Sequence, residues 1–179
     1  MKVPYYIRDA YESAITEAGT KIGAWLKPYG YDVLLCRDEL PGNKRWIGMY
    51  ESGSVFSGMI EIYVSEERIY KYLLPVWREY AYPKEMRAED MADETAITFY
   101  HEVGHALVNQ IIDWYENIPE IHDYVESTLI DDYFDVFDDE IMTEEDLVET
   151  FARHFLHGRP DQLKSCFEKL DKFITENNI

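Results

Sequence analysis

The chain has 179 residues, 46% hydrophobic and 15% aromatic, enough for one domain with its own core and too few for two ordinary ones. Aspartate and glutamate number 36 against 17 lysines and arginines, a formal charge of −19 that argues against a nucleic-acid-binding surface. No apolar run approaches the roughly 20 residues of a membrane span, and the stretch from Met1 to Asp9 lacks the apolar core of a secretory signal. Cys36 and Cys166 form no disulfide framework and have no metal-ligand spacing. The expectation is a cytoplasmic protein with reduced thiols; an effector exported by a non-classical route has the same features.

In chain order, Ile7, Tyr11, Ala14, Ile15, Ala18, Ile22, Trp25 and Leu26 recur at helical spacing. They predict a first helix over about 7–26, stopped by Pro28 and Gly30. Residues 31–36 and 45–50 have strand character on either side of the turn signal Pro41-Gly42-Asn43. Val55-Phe56 and the β-branched run 59–64 follow. Together they predict a mixed or antiparallel sheet of three or four strands. Ser65 before Glu66-Glu67 reads as an N-cap with acids in the first turn. The helix it opens reaches about Tyr80, with Pro75 kinking or ending it. Tyr70, Tyr72, Tyr80 and Tyr82 read as core or half-buried surface more readily than as a substrate wall.

A long central helix is expected from about Asp90 to just before Pro119. Ala96, Phe99, Tyr100, Val103, Ala106, Leu107, Ile111 and Trp114 make it apolar around much of its circumference, hence buried on several sides. It contains His101-Glu102-Val103-Gly104-His105. Two histidines four apart lie about 40° apart around a helix axis and one turn up. Both imidazoles can therefore reach one zinc ion, and Glu102 can reach a water bound to it. Packing does not explain a buried helix carrying two histidines and a glutamate.

A short helix is expected near 121–130, then the acidic run from Asp131 to Glu140, which reads as a solvated face. The glycine an EF-hand turn requires is absent. Between Arg87 and Arg153 there is no lysine or arginine, yet that interval holds 20 of the 36 acids. A negative potential around the cleft would favour basic peptide or protein substrates. Thr143 reads as the N-cap of a helix over 143–157 that Gly158 and Pro160 end. Leu163, Cys166, Phe167, Leu170, Phe173 and Ile174 mark a last amphipathic helix.

A catalytic zinc takes three protein ligands and leaves a position for water. After His105 the metzincin continuation would need glycine and histidine where the chain has Val108 and Ile111, so that class is excluded. The third ligand then comes from the acid-rich helix over 143–157. There Glu145, Val148, Glu149 and Ala152 share a face, which leaves Glu145 and Glu149 as candidates. One can ligate while the other hydrogen-bonds a ligating histidine. His122, His154 and His157 read as surface or core histidines, His154 lying across the helix from Glu145.

His101-Glu102-Val103-Gly104-His105, followed about forty residues later by Glu145-Asp146-Leu147-Val148-Glu149-Thr150-Phe151-Ala152, resembles the gluzincin-type zinc metallopeptidases. The pattern is most like the catalytic domain of anthrax lethal factor and its relatives, and more distantly like phage-type antirepressor peptidases. The likeness covers the two motifs and the C-terminal helix, under half the chain. It implies a zincin-like α+β fold in which residues 1–90 give a helix and sheet and 91–179 a helical half holding the site. It also implies Zn2+ on His101, His105 and Glu145, Glu149 outside that ligand set, and Glu102 as catalytic base. The family has a tyrosine before the ligand glutamate that assists catalysis. Its matching position here is Asp138, and Tyr133 is the nearest tyrosine. Substrate would lie extended along an edge strand, assigned to 59–64. The competing reading is a catalytically silent module that binds a partner through its acidic face; Glu102, which a purely structural zinc site does not need, argues against it.

Overall fold

Helix α1 runs over Tyr5–Leu26 and buries Ile7, Tyr11, Ala14, Ile15, Ala18, Ile22 and Leu26, the stripe its periodicity predicts. In the computed structural model the described residues are 2–36, 47–50, 58–129, 144–158 and 161–179. The predicted turn at Pro41-Gly42-Asn43, the Val55-Phe56 segment, the Thr143 cap, the Asp131–Glu140 run, Tyr133, Asp138 and Pro160 lie outside them.

Three strands follow among the described residues: β1 (Asp32–Cys36), β2 (Gly48–Tyr50) and β3 (Met59–Val64). They form a mixed sheet of order β1-β3-β2, β3 pairing parallel to β1 and antiparallel to β2. The assignment of 59–64 to an edge is therefore corrected. β3 is the middle strand, and its residues Ile60, Ile62 and Val64 alternate into the core. Sequence pattern identifies a strand, but its neighbours are set by contacts remote in sequence. Helix α1 is tied to the sheet where the Tyr11 hydroxyl donates to the Val64 carbonyl at 2.8 Å.

Helix α2 (Glu66–Glu79) starts on Ser65, whose hydroxyl accepts the Arg68 N–H. It continues through Pro75 rather than ending there. Both Pro75 and Lys71, the residue whose carbonyl loses its donor, are exposed, so water can satisfy that carbonyl. Tyr70 is buried against Trp77, while Tyr72 and Tyr80 are exposed.

Helix α3 spans Lys84–Asn117, about 50 Å at 1.5 Å per residue. It begins six residues before the expected Asp90, because 84–90 is made of helix formers without the apolar period that marks a start. Its other end agrees with expectation, and Pro119 opens the short α4 (Pro119–Tyr124), which continues into a wider turn over Val125–Leu129. Helix α5 (Glu144–His157) ends on Gly158, which has φ +70° and donates to the His154 carbonyl. Helix α6 covers Gln162–Asn177.

Buried side chains from Val3 to Leu170 make one continuous core. Trp25 of α1 joins its layers, its ring centroid 5.9, 5.3 and 5.8 Å from those of Phe151, Phe155 and Phe167. Among the described residues no helix is long and apolar enough to cross a membrane.

Candidate metal centre

Helices α3 and α5 lie side by side in opposite directions. Glu144 at the start of α5 meets His105, and Phe155 near its end meets Tyr100, ring centroids 5.2 Å apart. Gly104 permits this approach. A Cβ there would sit 2.9 Å from Val148 Cβ and 3.2 Å from Val148 Cα, closer than side chains tolerate. The glycine within the histidine motif thus brings the acids of α5 onto the histidines.

The result is a tight cluster. His101 Nε2 and His105 Nε2 are 3.1 Å apart. Glu145 reaches both, Oε2 at 3.2 Å from His101 Nε2 and Oε1 at 3.6 Å from His105 Nε2. Ligand atoms about 2.05 Å from a tetrahedral zinc stand about 3.3 Å from one another. The histidine nitrogens stand near that spacing, Glu145 approaches each of them through a different oxygen, and two nitrogens and a carboxylate oxygen form a donor set suited to zinc. Among the described residues these three are the group with metal-binding geometry. The two candidates of α5 are separated by distance: Glu149 Oε2 lies 3.8 Å from His101 Nδ1, on the far side of the ring. Its other oxygen takes Arg153 Nε and Nη2 at 2.8 and 2.7 Å.

His105 has a partner that sequence reasoning missed. Its Nδ1 is 2.5 Å from Glu144 Oε1. An indirect signal existed: Glu144 is one turn before Val148, so it shares the α5 face that packs on Gly104. Burial alone would lower the pKa of His105, but the Glu144 hydrogen bond and the charges of Glu144, Glu102 and Glu145 outweigh it and raise it. For His101, burial and the neighbouring His105 prevail over Glu145 and Glu149, and its pKa falls. The hydrogen bond from His105 holds Glu144 below the usual carboxylate range, against the opposing effect of burial.

Glu102 lies on the sheet side of α3. Burial, helped by the charge of Glu145, pushes its pKa up to about 7, although His105 and the Tyr50 backbone N–H act the other way. A cation held by the cluster would favour its ionised form. Strand β2 closes over it. A Cβ on Gly48 would lie 2.6 Å from Thr98 Cγ2 and 2.7 Å from Glu102 Oε1, so only glycine fits there. The Tyr50 ring stacks on His105 at 6.2 Å and 13°. Ile47 accepts from Ser65, and Met49 faces Tyr63 in the β2–β3 register. The alternation of an antiparallel pair then turns the backbone groups of Gly48 and Tyr50 away from β3.

These groups line a cleft of about 600 Å³ with Ile47, Met49, Glu94, Ile97, Thr98 and Glu149. Glu94 was not singled out from sequence; burial and Glu149 raise its pKa. None of the four tyrosines of 70–82 lines the cleft. His154 meets Phe155 edge to face and His122 stacks on Tyr115, and neither joins the His101, His105 and Glu145 cluster. No family model, curated protein or solved structure matches the chain.

Proposed function

We propose that the protein is a zinc-dependent peptidase of the gluzincin type with a zincin-like fold, similar in its site to the lethal factor catalytic domain. The observation that carries this reading is the convergence of His101, His105 and Glu145, with ligand atoms within 4.8 Å of one another, beside a half-buried Glu102. In that reading His101, His105 and Glu145 hold the ion. Zinc, when bound, acidifies a water and polarises the scissile carbonyl. Glu102 accepts the proton of that water and delivers it to the departing amine. The Tyr50 N–H fixes the Glu102 carboxylate from the strand side.

Substrate lies extended along β2, the edge strand at the cleft among the described residues, pairing with the outward backbone groups of Gly48 and the Tyr50 carbonyl. The carboxylates of Glu94 and Glu149 line the same cleft, and the reading includes a preference for basic peptides. Tyr133 remains the proposal for a residue assisting the reaction, on the strength of the resemblance.

The test is cleavage of a peptide library by zinc-loaded protein, with chelator-treated protein alongside. Zinc-dependent cleavage is expected, and Glu102→Gln should lose it by about 10³-fold, the scale of general-base catalysis, while retaining zinc. Undiminished cleavage by that variant overturns the mechanism. Zinc binding without cleavage favours the partner-binding module.

A further inference from the structure

We infer that Glu144 is the positioning residue of the metal centre, holding the His105 ring with its Nδ1 toward the Glu144 carboxylate and its Nε2 toward the metal position. The inference rests on the metal-binding reading above and deepens it. A neutral imidazole has one N–H and one lone pair, and the free ring favours the proton on Nε2. A histidine that ligates through Nε2 must keep its proton on Nδ1. An ionised carboxylate can only accept hydrogen bonds. With Glu144 Oε1 2.5 Å from Nδ1, the proton is held on Nδ1 and the Nε2 lone pair is turned toward His101 and Glu145.

The arrangement follows from the chain. Glu144 and Glu145 are consecutive in the first turn of α5, and the Gly104–Val148 approach seats that turn against His105. One acid then stands on each side of the ring, Glu144 at Nδ1 and Glu145 at Nε2. His101 has no equivalent support among the described residues. Glu149 is 3.8 Å from its Nδ1 and is engaged by Arg153 instead. His105 is therefore the pre-set ligand, and His101 orients as the ion binds. Loss of Glu144 should cost more metal affinity than loss of Glu149, the reverse of what the spacing of the two motifs suggests.

The test uses the full chain with Glu144→Ala, Glu144→Gln, Glu149→Gln and Glu145→Ala. Ring nitrogen–proton correlation spectra of the metal-free protein, at a pH where the rings are neutral, give the His105 tautomer. Competition with a chromophoric chelator gives zinc affinity. Wild type should show Nδ1–H. Glu144→Ala should move His105 toward Nε2–H and bind zinc 10- to 100-fold more weakly, the usual range for an orienting partner. Glu144→Gln, which can still accept from Nδ1 without the charge, should fall between, and Glu149→Gln should stay near wild type. A Glu144→Ala protein with wild-type tautomer and affinity overturns the inference while leaving the metal centre in place, provided Glu145→Ala loses zinc. A Glu145→Ala protein that binds zinc as wild type does removes the centre itself, and the inference with it.

Discussion

Asp161 shows what a single buried carboxyl does in this fold. Its Oδ1 accepts the Lys164 N–H at 2.7 Å and caps α6, while its Oδ2 is buried without a hydrogen-bond partner among the described residues. Burial raises its pKa against the opposing Lys164 N–H and the charges of His154 and Lys164. A pKa raised on folding means that the native state binds the proton more tightly. The associated stability is present at acid pH and lost as pH rises through the folded pKa. Asp161→Asn keeps the cap and removes the charge, so it should match wild type at acid pH and be the more stable at neutral pH. Asp161→Ala should cost about 1 kcal/mol through the lost cap. Melting curves at the two pH values check this; an Asn variant less stable at neutral pH contradicts it. The residue scale was also where the sequence was most legible. His101, Glu102 and His105 are joined by helical geometry alone. Glu144 was not legible because its role depends on how two helices meet.

At the scale of elements, the α3–α5 contact decides whether the site exists. Gly104→Ala supplies a better helix former, worth up to about 1 kcal/mol, but places a methyl 2.9 Å from Val148 Cβ. Overpacking of that kind costs roughly 1–3 kcal/mol, so the net effect should be a loss. Because relief requires α5 to shift, zinc affinity should fall as well. Adding Val148→Ala should restore affinity more fully than stability, since it opens the space and removes buried apolar surface. Denaturant melts and zinc titrations of the single and double variants test this; an unchanged affinity in Gly104→Ala contradicts it. The same contrast governs what the elements revealed in advance. The stripes of α1 and α6 repeat within one helix and were readable. The start of α3 carries no apolar period, and the central place of β3 depends on partners 27 residues upstream in β1.

For the whole molecule, charge is the main variable. The excess of acids over bases is 19, and Glu94, Glu102, Glu145 and Glu149 all line the cleft. Basic peptides should be cleaved faster than acidic ones of equal length at low salt. The ratio should narrow as ionic strength rises, because screening shortens the field to about 10 Å at 0.1 M. Equal rates on both libraries at low salt contradict this. The charge total was legible from composition, but its concentration around one cleft needed the fold.

In the proposed centre His101, His105 and Glu145 hold a zinc ion with a position left for water. X-ray absorption at the zinc edge of the metal-loaded protein tests it most directly. Two imidazoles and oxygen donors at about 2.0–2.1 Å with no sulfur are expected, a spectrum retained by Glu102→Gln and lost with Glu145→Ala. A sulfur shell at about 2.3 Å, or a single imidazole, would contradict it.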